Sequence, residues 1–412
     1  MADVRPFKAV RPDARYAPLV AALPYDVMNR EEAFGMTRDK PYSFLHVDKA
    51  EIDLDTSVDP YDARVYEKAN ENLKKLIADE ILIQDKTERY YIYKLTMDSR
   101  SQYGLVACAS VDEYIDGKIK KHELTLEAKE QDRIRHVDML DANTGPIFLA
   151  YRQREEIDAI VGDWTASNAS VYDFTAEDGI GHTVWVVDDA AMIGKIRAAF
   201  DKVPELYIAD GHHRNASAVK VALKRRQDAP SYDKNAEFNF YLAVIFPANQ
   251  LKILSYNRAV KDLNGLTEEA FFEKVREKFS VSDGSRTPPG ELHTFGMYIG
   301  GRWYKLSAKN AAIPDDPVGS LDVSILQNEL LGPVLGIDDP RTNKRIGFVG
   351  GIRGLKELEK MVDSGGCAVA FAMYPTSLTE LMDVADSGKI MPPKSTWFEP
   401  KLRSGLFIHK LT

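Results

Sequence analysis

Hydrophobic and polar positions along this chain follow two periods, and each change of period marks an element. Residues 62–78 (DARVYEKANENLKKLIA) place Val65, Tyr66, Ala69, Leu73, Leu76 and Ile77 on one helical face. The aromatic and β-branched runs RYYIYKLTM and YGLVACASV read as strands, and EYIDGKIKKHE reads as a hairpin around Asp116-Gly117. Residues 126–142 return to helical spacing. A strand pair, SVYDFTA and HTVWVVDD, then precedes the helix AAMIGKIRAAF. ELYI predicts a short strand, and NASAVKVALKRR predicts a helix with Ala218, Val221 and Ala222 on one face.

The remainder keeps this mixture. FNFYLAVIFP and KILSYNRAV read as strands, and Thr267 caps the amphipathic helix TEEAFFEKVREKF. Gly300-Gly301 turns a hairpin, a helix starts near Asp322, CAVAFAMYP reads as a buried strand, and Ser377 with Glu380 forms a capping box. GFVGGIRG (347–354) lacks the spacing of a dinucleotide fingerprint and reads as a strand–turn–helix joint. Strands come partly in hairpins and partly alternate with helices, which predicts an α+β fold of mixed β-sheets with flanking helices. Faint joints divide it into a motif-bearing region, 1–264, and a C-terminal α+β region, 265–412, expected to close on the same cleft.

Composition narrows the classes. The 412 residues are 44% hydrophobic and 28% charged, enough to bury full cores. A net charge of −9 supplies no basic field for a duplex, so no nucleic-acid partner is expected, although a local basic pocket remains open. Cys108 and Cys367 sit in apolar runs and read as reduced core thiols. MADVRPFKAVRP lacks the pattern of a signal peptide, and no apolar run reaches membrane-spanning length. The expectation is a cytoplasmic protein without a membrane partner.

The chemistry concentrates in ELYIADGHHRNASAV (205–219). Asp210, Gly211, His212, His213 and Arg214 fall between a strand and a helix, where free amides and the helix dipole favour an anion. Gly211 permits close backbone approach, and Arg214 offers a forked contact to phosphate oxygens. The histidines can donate hydrogen bonds, move protons or bind a metal. Asp210 can hold a histidine tautomer, hold Mg2+ or accept a proton, or serve only as an N-cap.

A second polar cluster is KKHELTLEAKEQDRIRH. His122 and Glu123 precede a helix on which Lys129, Asp132, Arg133 and His136 share a face, either a solvated ion-paired surface or a ligand face. In ALPYDVM, Tyr25 and Asp26 follow a proline, and Asp26 is a further candidate carboxylate or a turn residue. In KIMPPKSTWFEPKLRSGL, a stiff extended diproline segment presents Lys394, Ser395 and Thr396 for ligand contact or strand packing.

The stretches RPFKAVRP, LPYDVM, YSFLHVD, IADGHHRNASA, LDVSILQNELLGPVLGI and MPPKSTWFEPKLRSGL resemble, over nearly the whole chain, the domain of unknown function 1015 family. The resemblance extends to His122-Glu123 and to Lys129 with Asp132-Arg133. It implies that Glu123 is a candidate base and that Lys129 and Arg133 bind a phosphate or carboxylate. More distantly, the DGHHR box is similar to that of free-serine kinases of the ParB/sulfiredoxin superfamily. That likeness implies a ParB/sulfiredoxin-like core with large additions, and a nucleotide phosphate site lined by Asp210, Gly211, His212, His213 and Arg214.

These readings lead to a nucleotide-dependent small-molecule phosphotransferase, with serine a candidate acceptor, ATP or ADP with Mg2+ as the co-substrate, and no tightly bound cofactor. Its expected ligand is a nucleotide or small phosphorylated molecule. Two rivals stand beside it. One is a phosphatase or metal-dependent hydrolase with Asp210, His212 and His213 as metal ligands or a phospho-histidine site, although adjacent histidine side chains diverge. The other is a nucleotide-binding regulatory module without turnover.

Overall fold

The computed structural model describes residues 2–229 and 231–412. Two compact units result, Met1–Leu251 with Pro400–Thr412, and Lys252–Glu399. The sequence reading placed one boundary near 264. The last segment rejoins the first unit because it pairs there: Ile408 bridges Val10, Ser404 bridges Ala22, and His409 pairs with Asn143.

A nine-stranded mixed sheet forms the first unit. Its strands are β1 (Val4–Arg5), β2 (Tyr90–Met97), β3 (Arg100–Ser110), β4 (Ile119–Lys120), β5 (Ile147–Tyr151), β6 (Tyr172–Thr175), β7 (Gly181–Val187), β8 (Leu206–Asp210) and β9 (Phe240–Pro247). Their order is β4-β8-β5-β9-β3-β2-β7-β6, with β1 paired to the end of β3. The β4·β8 and β5·β9 pairs are parallel, and the other pairs are antiparallel. The expected α+β fold with mixed sheets is therefore the observed one.

Three helices matter for the site: α1 (Ala63–Ala78), α2 (Glu127–Leu140) and α3 (His212–Asp228). Val65, Tyr66, Ala69, Leu73 and Leu76 are the buried face of α1, as the spacing predicts. Ala218, Val219 and Ala222 of α3 pack with Leu206, Ile208, Leu149 and Tyr241 in one core, which fixes the motif helix against the sheet. Each large apolar side chain so buried contributes roughly 1.5–3 kcal/mol.

One expected element is different. Asp116-Gly117 turns no hairpin: Val111–Ile115 is a short helix, and Lys118 N–H bonds Glu113 O while Gly117 N–H bonds Tyr114 O. Gly117, at φ 76°, closes that helix. The chain then leaves as β4 and joins β8 in parallel. An Asp-Gly pair serves a helix end as readily as a hairpin.

The second unit is built on a six-stranded antiparallel sheet in the order Phe279–Asp283, Arg302–Ala308, Thr294–Ile299, Val369–Met373, Tyr256–Val260, Ile346–Gly350. Thr267 and Ser377 cap their helices as predicted. GFVGGIRG forms a strand end, a turn and a helix start, also as read.

Candidate functional site

The motif begins with a register break. In the β8·β5 pair Ile208 faces Leu149 and Asp210 faces Phe148, so Ala209 is the extra residue of a bulge. A bulge bends its strand and re-aims the next side chain. Gly211 follows in the left-handed region (φ 94°), and α3 starts at His212. The N-cap residue of this 17-residue helix is Gly211, which has no side chain of its own to cap it. The amides of the first turn lie at the positive end of the helix dipole.

Arg214 covers the turn. A Cβ on Gly211 would lie 3.0 Å from both Nε and Nη2 of Arg214. Nη1 of Arg214 donates to the Pro146 carbonyl (2.6 Å), and Nη2 donates to Asp210 Oδ2 (3.3 Å). Lys401 Nζ stands 3.7 Å from the same Asp210 oxygen. The Asp210 carboxylate thus lies between two cations and orients the guanidinium.

The two motif histidines diverge, as adjacent residues on a helix must. His213 Nε2 accepts a hydrogen bond from the Leu126 amide (3.0 Å), where α2 begins. His212 instead meets His122 edge to face, with ring centroids 4.5 Å apart at 87°. His122 follows β4, whose parallel pairing with β8 brings it beside the motif. Burial pushes the His122 imidazole down to about 4, with Asp210 opposing, and pushes His212 well below the usual histidine range. Both rings are neutral at neutral pH. Glu123 Oε2 lies 4.0 Å from His212 Nδ1.

Unsatisfied polar atoms gather here. His122 Nδ1 and Nε2, His212 Nε2, Arg214 Nε, and both amide atoms of Asn215 are buried without a hydrogen-bond partner among the described residues. The Ile208 backbone stands near enough to His122 to favour its protonated form, but it makes no bond of normal geometry. Buried polar atoms are rarely left so, and a cluster of them marks a place for a ligand or water.

A cavity of about 20 Å³ opens beside Arg214, lined also by Tyr25, Asp48, Arg133, His136 and Thr144. It has room for one water molecule in this state. The Arg133 guanidinium stacks over the Tyr25 ring at 4.1 Å and pairs with Asp132 at 2.8 Å. Burial opposes the Arg133 charge, but Asp132 and Tyr25 outweigh it. Burial also pushes the Tyr25 phenol up and the His136 imidazole down to about 4. Asp48 accepts from Thr144 Oγ1 (2.9 Å) through one oxygen and leaves the other buried without a partner among the described residues.

The family model described as protein of unknown function (DUF1015) matches residues 4–324. The chain belongs to that family. No curated protein matches it. Among solved structures, this DUF1015 chain is similar to a free serine kinase in complex with AMP, at 13% identity and a TM-score of 0.36, over 73% of this chain and 91% of that one. It is similar to a conserved hypothetical protein from Pyrococcus furiosus at 15% identity and a TM-score of 0.36, over 75% and 95%. SbnI with a C-terminal truncation, from Staphylococcus aureus, gives 11% identity and a TM-score of 0.37, over 74% and 86%.

In the DUF1015 chain the expected site residues separate into groups. Tyr25, Arg133 and Arg214 line one cavity, and His122, Glu123 and His212 form one cluster, with Gly211 and Asp210 at the turn between strand and helix. Lys129, in the first turn of α2, is exposed while Asp132, Arg133 and His136 are buried. Asp26 is exposed beside Tyr25. Lys394, Ser395 and Thr396 belong to the second unit. Their segment is not extended: Lys394 takes φ 57° and Ser395 Oγ donates to Pro392 O (2.6 Å), closing a turn. The Lys394 ammonium lies over the Tyr256 ring at 5.7 Å.

Asp48, His136, Thr144 and Lys401 were not among the expected site residues. Asp48 ends YSFLHVD and Lys401 lies in KSTWFEPKLRSGL, two of the stretches that carry the family resemblance. His136 shares the Arg133 face of α2.

Proposed function

We propose that this chain is a phosphotransferase that moves a phosphoryl group between an adenine nucleotide and a small hydroxyl acceptor, with serine the first candidate. One observation carries the reading: α3 starts just after Gly211, which takes the left-handed region, with the Arg214 guanidinium folded over that glycine. Backbone amides and a planar, charged fork are the donors that a phosphate oxygen requires. Phosphoryl transfer asks a protein mainly for positioning and charge neutralisation.

In this reading Gly211 and the amides of His212 and His213 hold phosphate oxygens, and Arg214 clamps them. Asp210 positions Arg214 rather than serving as the base, because Arg214 and Lys401 already share its carboxylate. Glu123, half-buried beside the neutral His212, takes the hydroxyl proton of the acceptor. The acceptor oxygen then forms the new P–O bond as the bond to the nucleotide oxygen breaks. Mg2+ would enter with the nucleotide as part of the substrate and would neutralise phosphate charge. Arg133, stacked on the Tyr25 ring, and Arg214 supply a cationic wall for the substrate.

Phosphorus NMR of the protein with Mg2+, ATP or ADP, and serine tests this directly. A new phosphomonoester resonance that disappears in Glu123→Gln is expected. No new resonance with serine or with a panel of other small hydroxyl acceptors overturns the phosphotransfer reading.

A further inference from the structure

We infer that His122, His212 and Glu123 form a binding site for a divalent transition metal ion, of the two-histidine, one-carboxylate kind. One ligand atom from each residue lies within 4.8 Å of the others. A tetrahedral ion holds nitrogen and oxygen ligands about 3.3 Å apart, so modest side-chain closure completes the set. His122 is 2% and His212 7% exposed, and neither His122 nitrogen nor His212 Nε2 has a hydrogen-bond partner among the described residues. Two buried imidazoles that face each other with idle lone pairs lack the usual reason for a buried histidine.

The ligand chemistry selects the ion. Two imidazoles with a carboxylate suit Zn2+, Fe2+ or Co2+, whereas Mg2+ prefers all-oxygen surroundings. Three protein ligands leave a coordination position for water or for an oxygen of a bound molecule. Lys121 and Arg214 add positive charge near His212 and weaken binding, and Glu123 with the neighbouring Asp210 opposes them. The adjacent His213 takes no part, because Nε2 already accepts from Leu126. The site shares Glu123 with the phosphotransfer reading, but its test reads metal binding alone.

Cobalt titration of the chelator-stripped, full-length protein is the test. One Co2+ per chain with visible ligand-field bands, displaced by Zn2+, is expected. His212→Phe keeps a ring in place and should weaken binding by more than about 100-fold, with Glu123→Gln, at a half-exposed position, weakening it by at least about 10-fold. A folded wild-type protein without bands, or bands that survive both substitutions, overturns the site.

Discussion

Arg214 lies close over Gly211: an added Cβ would stand 3.0 Å from Nε and Nη2 and would push the guanidinium aside. The same glycine takes φ 94°, where other residues are strained. Gly211→Ala therefore strikes the turn twice. It should cost about 1–2 kcal/mol of stability and displace Arg214. Nucleotide affinity should fall by more than about 10-fold, read by calorimetry beside a melting curve.

Arg214→Lys keeps the charge but not the fork. Lysine cannot serve Pro146 O and Asp210 Oδ2 together from one planar group. Affinity for ADP should fall about 10-fold, and the loss should be larger for Arg214→Ala, since a point charge replaces only part of a bidentate contact.

Asp132 holds the stacked Arg133 at 2.8 Å and accepts from the Tyr66 hydroxyl at 3.0 Å. Removing the carboxylate leaves a buried guanidinium without its counter-charge. Asp132→Ala should lower unfolding stability by about 3 kcal/mol or more, and Tyr66→Phe by only about 1 kcal/mol, in urea denaturation.

His182 sets an acid limit for the first unit. Arg403 Nε donates to His182 Nε2 (3.2 Å), so Nδ1 carries the proton and donates to the Tyr93 oxygen (2.7 Å). Burial first, then Arg403, pushes this imidazole down to about 3. The unfolded chain binds the proton more readily, so this stabilisation is full above about pH 6.5 and is lost as pH falls toward 3. Urea midpoints at successive pH values should fall through that window, and His182→Asn should flatten the slope while lowering stability at pH 7.

The Asp210–Arg214 turn was legible because its parts are contiguous. Asp210 through Arg214, a strand before and a helix after, fit in one reading window, and the buried Ala218, Val221 and Ala222 confirm the helical face. The fold class was legible for a similar reason, since strand runs such as Tyr90–Met97 and Phe240–Pro247 alternate with helical stretches such as Ala63–Ala78. Long-range pairing was not. His122 meets His212 only because β4 lies parallel to β8, with Ile119 opposite Leu206. Nothing in the spacing announces that register, and Asp116-Gly117 pointed to a hairpin instead. Lys129 shows the complementary limit: helical phase put it with Arg133, but the first turn of α2 leaves it in solvent. The bulge at Ala209 was likewise silent, because alanine is at home in a regular strand.

The central claim is that the Gly211–Arg214 turn binds phosphate, and the most direct measurement is an ADP titration by calorimetry on wild type and Arg214→Gln. Saturable binding by wild type, weakened more than about 10-fold in the folded variant, is the predicted result. Equal binding by both proteins, or none by either, would contradict it.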